Sequence, residues 1–152
     1  MGKYNKYFLE ARQKKRYTQP QLQRLSGVSS SQTSYAETGA RALRFKTAVK
    51  IAWTLGLSLD DMIRSRKSEY TPKKWSVPPG GNIGEAIRNA REQRGLTLKG
   101  LAQQCGVPLN TISSIENGHS KNPIVDHMAQ IAIPLHLSLD QIAETYFREK
   151  ER

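Results

Sequence analysis

The feature that most constrains this 152-residue chain is that it carries one pattern twice. An offset of 79 residues aligns Ala11, Arg12, Thr18, Leu22, Gly27, Val28, Ser34, Glu37 and Gly39 with Ala90, Arg91, Thr97, Leu101, Gly106, Val107, Ser113, Glu116 and Gly118. One extra residue after Gly118 moves the offset to 80, which pairs Ile51, Ala52, Leu55, Leu57, Ser58, Leu59 and Asp60 with Ile131, Ala132, Leu135, Leu137, Ser138, Leu139 and Asp140. A chain of this length holds one ordinary domain or two small ones, and the repeat selects a tandem duplication of one unit. The expected division is residues 1–64, a linker over 65–81, and residues 82–152. The linker reading rests on Pro72, Pro78, Pro79, Gly80 and Gly81, which break helices.

Each unit reads as five short helices. In the second copy Ile83, Ile87 and Ala90 have helical spacing, Gly95 ends that helix, and Thr97 caps the next, which runs through Leu98, Leu101, Ala102 and Cys105. Gly106 makes the turn. Pro108 suits the first turn of a third helix, whose Ile112 and Ile115 face inward until Asn117 and Gly118 stop it. A fourth helix carries Met128, Ile131 and Ala132 and must bend or end near Pro134. The fifth is capped by Ser138 and holds Leu139, Ile142, Ala143, Tyr146 and Phe147 on one stripe. No credible period-two alternation occurs, so the expected fold is all-α.

Charge points to the partner. The chain has 24 Lys+Arg against 13 Asp+Glu, a formal net charge of +11, and a pI near 10.0, which favours a polyanion. The excess lies in the first half and the middle: residues 1–64 are net +8, residues 65–81 net +3, and residues 82–152 neutral. No run approaches the ~18 apolar residues that a membrane span needs. The start lacks an apolar signal core, and the single Cys105 can form no internal disulfide, so a reducing compartment is expected.

The stretch from Thr97 to Gly118, with its counterpart from Thr18 to Gly39, resembles the helix-turn-helix of the Cro and lambda-repressor-like family, also called xenobiotic-response-element (XRE) regulators. The resemblance covers both units and includes the tail Leu57 to Met62 and its partner Leu137 to Ile142. It implies a double-stranded DNA-binding regulator, without enzymatic activity or cofactor, in the cytoplasm of a bacterium and associated with its nucleoid. In such a motif the second helix lies in the major groove and presents the side chains near its N-terminus to base edges, while the preceding helix crosses the backbone. The positions that match the family's base readers are Ser30, Ser31, Gln32 and Tyr35 in the first unit and Leu109, Asn110, Thr111 and Ser114 in the second. Asn and Gln can bond adenine bidentately, Thr can donate or accept, and Leu can touch a thymine methyl. Phosphate contacts are expected from the start of the second helix and the loop after the third. These are Thr18, Gln19, Arg41, Arg44 and Lys46, and then Thr97, Lys99, His119, Ser120 and Lys121. By the same resemblance Arg12 with Glu37, and Arg91 with Glu116, form buried structural pairs rather than catalytic ones.

The first unit departs further from the family pattern. Gln23 stands where a small Ala is wanted, and Thr33 and Ala36 stand where large aliphatic residues are wanted, whereas the second unit keeps Ala102, Ile112 and Ile115. The first core is therefore expected to be thinner or differently packed. The linker's Arg66, Lys67, Lys73 and Lys74 are candidates for phosphate or minor-groove contact, while Tyr70 and Trp75 are read as packing residues. At the end of the chain Tyr146 and Phe147 either cover the second core or, with Ile142, form a homodimer stripe.

Enzymatic readings fail on the residues. His119, His127 and His136 are not spaced as metal ligands around Cys105, no Gly-rich phosphate loop precedes a Lys, and no nucleophile has a matching base. The functions that remain are a transcriptional regulator acting as a repressor on two major-groove half-sites, a DNA-binding accessory protein of a plasmid or conjugative transfer origin, and an antitoxin that uses one unit to bind a toxin.

Overall fold

The structure is a computed structural model in which residues 3–73 and 81–148 are described. It divides into two compact units, Met1–Glu69 with Ile124–Asp126, and Tyr70–Pro123 with His127–Arg152. The first contains α1 (Asn5–Lys14), α2 (Gln19–Ser26), α3 (Ser30–Thr38), α4 (Phe45–Leu55) and α5 (Leu59–Arg64). The second repeats the order with α6 (Ile83–Gln93), α7 (Leu98–Cys105), α8 (Leu109–Glu116), α9 (Val125–Leu135) and α10 (Leu139–Ala143), and ends in a π-helical turn, Glu144–Arg148. Among the described residues there is no strand, and no helix is long and apolar enough to cross a membrane.

Helix starts are written in the sequence as hydroxyl and amide caps. Thr18, Ser29, Ser58, Asn82, Thr97 and Ser138 each accept a hydrogen bond from the backbone N–H three residues on, which satisfies a donor the helix leaves free. Thr18 completes a capping box, because the Gln21 side chain in turn accepts from the Thr18 N–H at 2.8 Å. The turn between the second and third helices needs a left-handed residue, and Gly27 and Gly106 fill it with the same φ of 74°.

Two local details, at Pro108 and in the last helix, differ from the expectation, while the fourth helix ends near Pro134 as expected. Pro108 is the N-cap of α8, one residue before its first turn, where the missing N–H is equally harmless. Helix α9 runs one residue past Pro134, and His136 then adopts a φ of 53°. The fifth helix of the second unit changes from α to π at Glu144, so the stripe is not one regular α-helical face.

The first core is differently packed rather than hollow. Thr33 is fully buried with its hydroxyl donating to the Ser29 carbonyl at 3.0 Å, and Ala36 is buried beside it. Tyr4, Phe8 and Phe45, all buried, stand where the second sequence repeat has Ile83, Ile87 and Val125, so aromatic bulk replaces the volume missing from α3. In the second unit Ile87, Leu101, Ile112 and Ile115 are fully buried. Ile142 and Tyr146 are buried with that core and Phe147 is half-buried, so the stripe faces inward.

Part of the segment expected as linker is packed. Arg66 lies over the Tyr4 ring, 6.0 Å from its centroid, and donates to the Lys3 carbonyl at 3.2 Å. Lys67 is exposed. Tyr70 is buried with its hydroxyl donating to the Leu137 carbonyl, and the Lys73 backbone N–H donates to the His136 carbonyl at 2.9 Å. Lys74, Trp75, Pro78, Pro79 and Gly80 lie outside the described residues.

Candidate nucleic-acid interface

In each unit the first helix holds the third by an arginine. Arg12 donates from Nε to Glu37 Oε2 at 2.6 Å and from Nη2 to Oε1 at 2.9 Å, and its Nη1 reaches the Tyr17 carbonyl at 2.7 Å. Arg91 makes the same three bonds, to Glu116 Oε2 at 2.8 Å, to Oε1 at 2.9 Å and to the Leu96 carbonyl at 2.7 Å. Both glutamates are buried, and the hydrogen bond to the carboxylate raises the pKa of each arginine above its ordinary value against the opposing effect of burial. One guanidinium thus ties the end of the third helix to the loop entering the second, which fixes the angle of the helix-turn-helix.

With the inner face so anchored, the N-terminal part of the third helix is left outside. In α3 Ser30 and Ser31 are exposed, and Gln32 and Tyr35 are half-buried. In α8 Leu109 and Asn110 are exposed, and Thr111 and Ser114 are half-buried. Leu109 retains 39% of its surface. Thr33, Ala36 and Glu37, and equivalently Ile112, Ile115 and Glu116, occupy the opposite, buried face.

The expected phosphate residues sit around these faces. Thr18 and Thr97 are exposed caps; each hydroxyl oxygen accepts from a backbone N–H and so keeps its proton for an outside acceptor. Gln19 is also engaged within its unit, donating to Glu37 Oε1 at 3.2 Å. Arg41, Arg44, Lys46, Lys99, His119 and Lys121 are exposed, and Ser120 is half-buried. After α8 the backbone N–H groups of His119 and Ser120 both donate to the Ser114 carbonyl, at 3.0 and 3.1 Å, which holds the loop close to the helix end.

Sequence reasoning missed one contributor, Arg88, and one contact between two residues it had named, Arg41 and Tyr35. Arg88 reaches Glu116 Oε1 at 3.4 Å and Asn117 Oδ1 at 2.6 Å, a second arginine on the same helix end. Its spacing of three from Arg91 was the available signal, since it puts both on one face of α6. Arg41 lies over the Tyr35 ring, 5.3 Å from the centroid, and couples the loop after α3 to the outer face of that helix.

Comparison with known proteins agrees with this architecture. The Helix-turn-helix family model matches twice, at residues 9–62 and 87–142. Over 69 residues the chain is 30% identical to the HTH-type transcriptional regulator SinR of Bacillus subtilis (strain 168), an alignment covering 43% of this chain and 62% of that protein. Over 70 residues it is 34% identical to the HTH-type transcriptional regulator SlrR of the same organism, covering 45% of this chain and 46% of that protein. SinR of Bacillus licheniformis is 30% identical over 69 residues, covering 45% and 59%. The chain therefore spans about half to three-fifths of the length of these relatives. No solved structure gives a significant match. The two matched segments together take in most of the chain, which belongs to the XRE-type helix-turn-helix family.

Proposed function

We propose that this protein is a sequence-specific double-stranded DNA-binding transcriptional regulator of the bacterial cytoplasm, acting as a repressor through two major-groove half-sites. One observation carries the reading. In both units the third helix is buried on the side where its Glu pairs with an Arg and presents mostly polar side chains near its N-terminus on the other, the end by which a helix of this kind reads a major groove. The similar SinR and SlrR proteins are named transcriptional regulators, which supports the regulatory role.

Gln32 and Asn110 are assigned as the principal base readers, with Leu109 on a thymine methyl. Thr18, Thr97, Arg41, Arg44, Lys46, Lys99 and Lys121 position the units on phosphates. The net +8 of residues 1–64 makes the first unit the stronger electrostatic anchor, while the neutral second unit contributes mainly through base contacts. A homodimer through the last helix is disfavoured, because Ile142 and Tyr146 are buried and leave that stripe only the half-buried Phe147.

Genomic sites recovered by crosslinking and pulldown of the full chain test the role. Enrichment upstream of coding sequences, with transcription rising when the gene is deleted, is the expected result. Enrichment confined to a transfer origin, or copurification with a small neighbouring protein in place of DNA, would replace the regulator by an accessory protein or an antitoxin.

A further inference from the structure

Cations of the first unit gather on a face to which no role has been given. Lys14 ends α1, Lys15 caps it, and Arg16 follows in the turn into α2. Arg24 lies near the end of α2 and borders a cleft with Tyr17, Gln21 and Leu25. All four cations are exposed, and none has a side-chain hydrogen bond or ion pair among the described residues. Glu10, the only carboxylate within residues 1–36, is turned to Lys6 at 3.7 Å.

The duplicate differs at the aligned positions. Gln93, Gly95 and Gln103 stand for Lys14, Arg16 and Arg24. The one cation that is kept, Arg94 for Lys15, is turned onto its own unit and donates to the Leu135 carbonyl at 3.2 Å. The backbone adds a second contrast. Arg16 has a φ of 60°, in the left-handed region that disfavours a side chain, where Gly95 takes 68°. The turn imposes this conformation, because Arg12 Nη1 holds the Tyr17 carbonyl at 2.7 Å and the Arg16 N–H donates to the Gln13 carbonyl at 3.0 Å. A charge is thus kept where the local backbone favours glycine, and it is carried on a pinned turn rather than a loose one.

We propose that Lys14, Lys15, Arg16 and Arg24 form a second phosphate-binding tract, which holds the DNA backbone beside the groove that α3 enters. This step rests on the proposed binding of DNA. Thr18, the exposed cap assigned to a phosphate, is two residues from Arg16, and Gln21 and Arg24 follow it at successive steps of three on the exposed side of α2. The helix before a recognition helix crosses the backbone, so the turn that leads into it lies on the flank of the same contact. Continuity with Thr18 favours a nucleic-acid backbone over an acidic protein surface. Exposed cations without carboxylate partners grip phosphate without reading sequence, and they release counterions as they do so.

Fluorescence anisotropy of the full chain on a mixed-sequence duplex over a salt series tests the tract. Lys14→Gln, Lys15→Gln, Arg16→Gln and Arg24→Gln together should reduce the slope of log affinity against log salt by about 1.8 or more, the share of two phosphates at ~0.9 each. Lys6→Gln, which removes a cation already turned to Glu10, should leave the slope unchanged. Arg16→Gly, which copies the second unit, should reduce the slope by about 0.9 while the melting midpoint stays level or rises, since glycine takes the left-handed conformation freely. A fall in melting midpoint with the slope unchanged would make Arg16 a structural residue and count against the tract. A parent that binds duplex, with an unchanged slope in the fourfold variant, would overturn the proposal and leave the face to an acidic protein. A parent that binds no duplex would overturn it together with the DNA-binding reading. The duplex carries no chosen site, so failure of the transcriptional role alone leaves the outcome intact.

Discussion

Arg91 grips Glu116 at two points, Nε to Oε2 at 2.8 Å and Nη2 to Oε1 at 2.9 Å, and Arg12 grips Glu37 in the same way 79 positions earlier. The pair joins the first helix of each unit to the buried side of the third. It is the polar centre on which each helix-turn-helix is set. Removing the carboxylate leaves an arginine that is only 15% or 12% exposed without its partner, so Glu37→Ala and Glu116→Ala should each destabilise their own unit by up to about 3–5 kcal/mol. Thermal melting followed by circular dichroism should show an early transition in each variant. A profile superimposable on the parent would contradict the structural role.

Arg88→Ala should be far milder. Its side chain is 40% exposed and its bond to Glu116 is the longer one, at 3.4 Å. Loss of no more than about 1 kcal/mol is expected, and denaturant titration against Arg91→Ala separates the two. Equal loss from both would show that the roles of the two arginines had been misassigned.

Gly84 is required by close approach rather than by backbone conformation. A Cβ there would stand 2.2 Å from the Ile115 carbonyl oxygen and 2.7 Å from that of Glu116, so α6 meets the end of α8 backbone to backbone. Gly84→Ala must push the two helices apart, and a loss of about 1–3 kcal/mol or more is expected. A melting midpoint equal to the parent's would show that the close approach is absent in solution.

Binding of DNA should depend on salt chiefly through the first unit. Reversing the charges of Arg41, Arg44 and Lys46 together should reduce the slope of log affinity against log salt by close to 0.9 for each phosphate no longer neutralised. The same treatment of Lys99 and Lys121 should have less effect on overall affinity, since residues 82–152 carry no net charge. Fluorescence anisotropy over a salt series measures both. An unaltered slope after the first set of reversals would count against the first unit as the anchor.

Alkaline stability should be limited by buried phenols. Burial first, and then the charge of Glu85, raises the Tyr146 pKa above the ordinary 10.0, while Tyr4 is raised first by burial and then by Asp126, with Arg66 opposing. The unfolded chain therefore releases these protons at lower pH than the folded one. Their contribution is fully present below pH 10 and is lost as pH rises through the folded values. Tyr146→Phe should flatten the fall in melting midpoint above pH 10, and an equally steep fall would contradict the assignment.

Most of the architecture was legible because the chain states it twice. Thr18 and Thr97, Gly27 and Gly106, and Arg12 and Arg91 fall at matching positions, and caps, turns and buried ion pairs are local rules that sequence expresses directly. What was not legible depended on which side chains meet across elements. Nothing in the spacing of Tyr4, Phe8 and Phe45 showed that they would replace the volume missing at Thr33 and Ala36. Nor did Gly84 look different from any other helical glycine until the end of α8 lay against it. The change from α to π at Glu144 breaks the period on which the last stripe was read.

The central claim is that both third helices read bases. Selection from random duplex DNA with the full chain, repeated with Gln32→Ala and Asn110→Ala, tests it most directly. The predicted result is a two-part motif in which each variant loses information in its own half, with a penalty of about 1–3 kcal/mol at the affected base pair. A single-part motif insensitive to one of the two substitutions would contradict it.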